Sequence, residues 1–328
     1  MAPRRVESSQ THGLGYVCAR SWGPHSSRVS ALTSTYPVRL ISPSSPPDER
    51  AVLVFILNHG GGLVAGDKID FHAEIFSNAR LGLLTQGSTK IYKSLPGAVC
   101  TTQSLRVTVG VGAGLVVLPD PIQPFRNSVY NQDQSFEIDP LSSSILLLDW
   151  VSEGRSAHGE KWSLTEWKGR NEVWSSPTET EGEKLMGRKL LLRDNTMLYE
   201  KSPLLTQSLE ERMERLGVFG TVIIRGPLFE GLGKLFLAHY ACQPRVGVKK
   251  WSKGPDVICS EDEEDGTVLR NIRDNLTWTA TSVRNFVVVR FGATTVEHAR
   301  HWLRGILTDD GTVEREFGKR YLFCLQDR

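Results

Sequence analysis

The chain has 328 residues, enough for one large domain or two ordinary ones, and 39% of them are hydrophobic, which is enough for a sizeable core. Its 39 basic and 37 acidic side chains leave a net charge of +2, which excludes a general attraction to nucleic acid or another polyanion. No apolar run approaches the roughly 18 residues that span a bilayer, and Cys18, Cys100, Cys242, Cys259 and Cys324 are too scattered for a zinc cluster or a disulfide framework.

In chain order, Tyr36–Ile41 predicts an extended segment that stops at the proline- and serine-rich turn Ser42–Arg50. The apolar run Ala51–Leu57 predicts a strand, and three glycines, Gly60 to Gly62, follow it, with Gly66 and Asp67 behind them. Glycine suits backbone with φ > 0, or backbone that another group approaches closely, so Gly61, Gly62 and Gly66 are expected to tolerate no side chain. Beyond Asp67, Ile69, Phe71, Ala73 and Ile75 alternate with Asp70, His72 and Glu74, the period of a half-buried strand. Leu105, Val107, Val109 and Val111 alternate again, and Leu115–Leu118 predicts a further strand. The prolines at 119, 121 and 124 dictate an extended passage in which Asp120 reads as a turn residue rather than a ligand. Ser144–Trp150, SILLLDW, is an apolar strand ending in an acid and a tryptophan.

Past Trp174 the pattern weakens. Ser175–Lys184 and the acidic stretch Ser252–Gly266 read as peripheral loop insertions, and the latter lacks the spacing of a calcium loop. Leu204–Leu216 carries Leu205, Leu209, Met213 and Leu216 at helical intervals, Val218–Arg225 predicts a strand, and Phe286–Phe291 a buried one. Thr294 and Glu297 have capping-box spacing before a helix whose apolar face is Val296, Ala299, Trp302, Leu303, Ile306 and Leu307. His298 and His301 on that helix lack an acidic or cysteine partner in the same turn and read as a solvated or partner-contacting pair rather than a metal grip. The expectation is a mainly β protein, one domain over 1–328, with about two α-helices in its C-terminal half. A sandwich and an irregular solenoid both fit.

Two phosphate-binding readings fail on context. Gly60, Gly62 and Ala65 match G-x-G-x-x-A after a strand, but a strand follows where that fingerprint needs a helix. In GLLTQGSTK, Gly82–Lys90, the lysine stands three residues beyond the second glycine instead of directly after it. The pairing of GGGLVAGD with LLTQGSTKIYK instead resembles the urease accessory protein D (UreD, or UreH) family. Leu84 stands where that family usually has the first of two threonines; Thr85, Gln86 and Lys90 match. LPDPIQPFRNSVYNQ, with Asp120, and the pair Gly154-Arg155 and Gly159-Glu160 resemble the family's further motifs.

The resemblance covers roughly Leu14 to Arg304. It implies a helical stack of β-layers, irregular and solenoid-like, with a few helices, and a protein that is not an enzyme. It implies binding to apo-urease and to UreF, and through UreF to the GTPase UreG, with nickel passing transiently along a polar interior into urease. No nucleic-acid or membrane partner is expected. The N-terminal Arg4, Arg5, Arg20 and Arg28 faintly suggest a transit peptide, but there is no apolar core to a leader and Leu14 already resembles the family's first strands, so the cytoplasm is expected. Asp67 and Glu160, each directly after a glycine of a specific motif, are the candidate passage ligands, since oxygen donors hold nickel less firmly than Cys or His and let it move on. Without the resemblance, Arg155 and Glu160 read as a salt bridge across a hairpin. The competing class is a β-solenoid carbohydrate hydrolase with Asp67 and Glu160 as its paired carboxylates. Against it, Trp150, Trp162, Trp167 and Trp174 are bunched in one stretch, not spread along a sugar-binding groove.

Overall fold

The computed structural model describes residues 12–23, 26–46, 49–94, 97, 99–177, 187–200, 206–243 and 275–326. The chain opens with β1 (Leu14–Trp22), β2 (Ser26–Ser34) and β3 (Val38–Ile41), and then makes four similar passes. The first is β4 (Val52–Asn58), β5 (Gly62–Leu63) and β6 (Lys68–Ile75), and the second is β7 (Arg80–Leu84), β8 (Thr89–Ile91) and β9 (Thr101–Val109). The third is β10 (Gly114–Val117), β11 (Ile122–Pro124) and β12 (Val129–Ile138). The fourth runs from β13 (Ser144–Ser152) to β14 (Glu166–Ser175). The leading strands β4, β7, β10 and β13 form one parallel ladder, the closing strands β6, β9, β12 and β14 a second, and the short β5, β8 and β11 a third.

Flanking strands make both main sheets mixed. β1 joins parallel to β6 and carries β2 antiparallel, while β15 (Lys189–Tyr199) closes the other edge, giving the order β15-β14-β12-β9-β6-β1-β2. The second sheet adds β16 (Val218–Arg225), β17 (Leu276–Val283) and β18 (Phe286–Ala293), in the order β17-β18-β16-β13-β10-β7-β4-β3.

The alternation in β6 has its expected cause: Ile69, Phe71, Ala73 and Ile75 are buried against the facing sheet, while Asp70, His72 and Glu74 point outward. β13 is mostly apolar, Asp149 apart, because both its faces are covered. Ile145, Leu147 and Val151 join the core between the sheets, whereas Leu146, Leu148 and Trp150 join a second core under the helices. Those helices are α1 (Leu209–Met213), α2 (Glu230–Ala241), α3 (Val296–Asp310) and α4 (Thr312–Glu316), followed by a 3-10 segment, Lys319–Leu325. Phe236 and Trp302, from α2 and α3, pack edge-on at 6.0 Å in that second core.

The molecule is mainly β, as expected, but the helical detail differs. In place of a helix over 204–216 the described part is five residues long, because a capping box between Ser208 and Glu211 starts it late and Glu214, at φ +51, stops it. Residues 201–205 lie outside the described ones. The cap of α3 is Thr295, which accepts the His298 N–H at 3.2 Å, not Thr294. Glu297 lies 3.9 Å from Arg300. The His298 Nδ1 meets the Thr294 and Thr295 hydroxyls at 2.9 and 3.1 Å. Helix α2 escaped the sequence reading because Gly231 and Gly233 blur its apolar period. A Cβ on Gly233 would stand 3.0 Å from Val287, so the small residue sets how closely the helix approaches β18. Of the two suggested insertions, residues 178–184 and all of 252–266 lie outside the described residues. Among the described residues no helix is long and apolar enough to cross a membrane.

Candidate functional site

The glycine motif shapes the corner between the first two ladders. Gly61 (φ +71) and Gly66 (φ +89) hold left-handed backbone that disfavours side chains. Gly62 is extended, and its constraint is close approach: a Cβ there would lie 2.4 Å from the Lys90 carbonyl oxygen, its partner in the β5–β8 ladder. Asp67 closes the turn, accepting the Val64 N–H at 2.9 Å while its own N–H donates to the Val64 carbonyl at 3.1 Å. The side chains of Gln86 and Lys90 are exposed.

Asp120 does more than turn the chain. It is 1% exposed, and its Oδ2 accepts the Gly87 N–H at 2.7 Å and the Thr85 hydroxyl at 3.1 Å, while its N–H donates back to Thr85 Oγ1 at 2.7 Å. Its Oδ1 accepts Arg300 Nη2 from α3 at 2.8 Å, in an ion pair buried at both ends. Arg300 Nε also donates to the Cys324 carbonyl (3.1 Å), and the Cys324 thiol donates to the Thr85 carbonyl (3.1 Å). Burial first, and then the Asp120 charge, push that thiol up to about 12. The turn reading of Asp120 is therefore too weak: it clasps two sequence motifs to the C-terminal helix. Local sequence offered no sign of this, because its partner is 180 residues away.

Glu160 and Arg155 do meet, in the loop between β13 and β14 and not across a hairpin. Arg155 Nε and Nη2 donate to the two carboxylate oxygens at 2.9 and 2.6 Å, and the guanidinium lies 4.2 Å over the Phe125 ring. Arg155 holds the Glu160 carboxyl below the usual carboxylate range. Asp67 and Glu160 thus stand on the first and the fourth passes, each with its own hydrogen-bond partners. Among the described residues no three His, Cys, Asp or Glu side chains converge as a metal site.

What the structure does bring together lies between the two sheets. An internal cavity with about 50 Å³ open to a water-sized sphere is lined by Gln103, Gln132, Gln134, Asp149, Thr85 and Asp120, among others; a water's share of the liquid is roughly 30 Å³. The Asp149 carboxylate accepts Gln132 Nε2 at 2.8 Å and Asn171 Nδ2 at 2.7 Å, and Gln134 Nε2 donates to Asn171 Oδ1 at 3.0 Å. Strand register produces this row. Gln103 is opposite Gln132, Gln134 opposite Asn171, and Asn171 opposite Asp194 in β15, which is ion-paired with Arg290. Asp149 keeps some accessible surface because it faces the cavity, yet removal from bulk water pushes its carboxyl up to about 6, with the two amide donors pulling back. The sequence carried a signal for Asp149: an acid in a strand buried on both faces. Gln132 and Gln134 likewise share the inward parity of Tyr130 and Phe136.

Comparison with known proteins agrees with the motif pairing. The model of the UreD urease accessory protein family matches residues 14–315. This chain belongs to the UreD urease accessory protein family. A Schizosaccharomyces pombe protein described as an uncharacterized urease accessory protein ureD-like is 32% identical over 86% of this chain and 89% of its own. Urease accessory protein 4 of Cryptococcus neoformans var. grubii is 28% identical over 95% and 94%. Urease accessory protein D of Arabidopsis thaliana is 33% identical over 67% and 70%. The UreD match spans all four motif blocks, so Asp67, Thr85, Asp120, Arg155 and Glu160 fall within it, as does the interior row around Asp149.

Proposed function

We propose that this UreD-family protein is a non-catalytic scaffold that binds apo-urease and, together with UreF and UreG, passes nickel to the urease active site from within its own fold, in the cytoplasm. The observation that carries the reading is the polar row between the sheets, with Asp149 at its centre. Its donors are carboxylate and side-chain amide groups, whose oxygens bind nickel less firmly than thiolate or imidazole would. The amides of Gln132, Gln134 and Asn171 now present N–H groups toward carboxylate or amide oxygen, and a half-turn of each would present its carbonyl oxygen to a cation. Such a half-turn exchanges the Tyr130 hydroxyl at Gln132 and the Gln134 amide at Asn171 for the ion, and neutral oxygen ligands that can change partners suit an ion in transit. The parallel passes go with this reading, since they set equivalent inward positions of neighbouring strands side by side. Asp67 and Glu160 serve at most as outer stations, because a turn and a guanidinium already engage them.

The test is nickel per urease active site after maturation with Asp149→Asn, with Asp67→Ala/Glu160→Ala, and with the unaltered chain. The proposal expects Asp149→Asn to reduce nickel loading several-fold while the variant still assembles with UreF and urease. Full loading by Asp149→Asn would remove the interior row from the mechanism.

A further inference from the structure

The segments that follow β8, β11 and β13 lie against one another at one corner of the fold. The Phe125 N–H donates to the Ile91 carbonyl at 2.9 Å, and Gln123 Nε2 donates to the Gly154 carbonyl at 3.1 Å. They surround an open concavity of about 440 Å³ whose walls include Tyr92, Lys93, Phe125, Arg126, Arg155 and Glu160. We propose that this concavity docks an acidic peptide segment of a partner protein, apart from any role in metal transfer.

Charge is the first argument. Three cationic groups face one carboxylate, so this corner carries as much net positive charge as the +2 of the entire chain. Arg155 is ion-paired with Glu160, whose carboxylate also lies within electrostatic reach of Arg126. Among the described residues neither Lys93 nor Arg126 forms an ion pair, and both are exposed; Arg126 Nη2 reaches only the Gly159 carbonyl, at 3.4 Å. Geometry is the second argument. Arg155 is fastened by two hydrogen bonds to Glu160 and lies over the Phe125 ring, so this part of the wall is fixed in place.

Other anions fit less well. Phe125 is buried, with Arg155 over its face and Tyr92 packed edge-on at 5.3 Å, so it offers no stacking surface to a nucleotide base. A single small anion would find no free backbone donor at Arg126, whose N–H is turned to Glu160 at 3.4 Å. Carboxylates spaced along a peptide engage separated surface cations together, and that arrangement also steers the encounter.

The test uses the full chain and a fluorescein-labelled peptide of alternating Glu and Ser, followed by fluorescence anisotropy without nickel. The reading predicts saturable binding that weakens with salt and is at least about tenfold weaker for Lys93→Glu/Arg126→Glu. Lys93→Gln/Arg126→Gln should fall between, and reversal of the exposed Lys234→Glu/Arg304→Glu, on α2 and α3 and outside the concavity, should leave affinity unchanged. No binding by the unaltered chain, equal affinity for the Lys93/Arg126 variants, or equal binding of a Gln-for-Glu peptide would each overturn it. Displacement of the peptide by GTP or inorganic phosphate at lower concentration than by unlabelled peptide would overturn it in favour of a phosphate site. Because nickel is absent throughout, these outcomes leave the transfer reading untouched.

Discussion

Two aspartates that line the same cavity have opposite surroundings. Asp120 is met by a guanidinium from one segment and by a backbone and a hydroxyl donor from another. Asp149 is met by two uncharged amides and lines the cavity. The first carboxylate is neutralised by a charge fixed in the fold, so bringing in a metal ion would mean expelling Arg300 from a buried site. The second keeps its charge unmatched, and burial raises its pKa in consequence. A buried carboxylate answered by arginine is a clasp, whereas one answered only by amides leaves room for a passing cation.

Breaking the clasp should have the largest effect. Arg300→Ala strands the Asp120 carboxylate in the core, and chemical denaturation should show a loss of about 3–5 kcal/mol. Asp120→Leu/Arg300→Met should recover most of it, because removing both charges removes the desolvation penalty along with the attraction. Gly62→Val tests the corner the clasp supports. The added side chain meets the Lys90 carbonyl, so a loss of about 1–3 kcal/mol is expected, and an unchanged melting temperature would refute the close-approach account.

Titration sharpens the other half of the contrast. The Asp149 carboxyl sits at about 6 in the folded protein against an ordinary 3.8. Below pH 4 it is protonated whether folded or unfolded, and its burial costs nothing extra. As the pH climbs toward 6 and beyond, the unfolded chain releases the proton more readily, so this group's contribution falls and then levels off. The stability of the unaltered chain relative to Asp149→Asn should therefore decline between about pH 4 and pH 6; a flat difference would mean that the group is better solvated than its surroundings suggest. The smallest effect belongs to Asp67→Ala. Losing one side-chain acceptor at a turn resembles losing a helix cap, about 1 kcal/mol, and should leave nickel loading intact in the folded fraction.

Much of the fold was legible. The alternation in β6 and the continuous apolar run in β13 identified a half-buried and a fully buried strand, because the side-chain period of a strand is a local property. The glycine motif announced an unusual turn, although the two reasons divide: Gly61 and Gly66 need left-handed backbone, while Gly62 needs a neighbour on another strand. Helix α2 was hidden because its glycines serve packing against β18, which no local pattern records.

By itself the sequence determined the family, through motif blocks whose combination is far more specific than any one of them, and the predominance of strand, through residue period. Only the tertiary structure decided which acids act together. Asp67 and Glu160 stand out along the chain because each follows a motif glycine, yet a turn engages the first, and Arg155 with the Arg126 N–H engages the second. Gln134 and Asn171 are set side by side by the parallel register of β12 and β14, and the packing of the two sheets brings Asp149 of β13 to Gln132 and Asn171. Asp120 meets Arg300 because α3 packs over the strands that the motifs form. Register and packing are relations between distant segments, so the charge environment of a buried side chain exists only once the chain has folded.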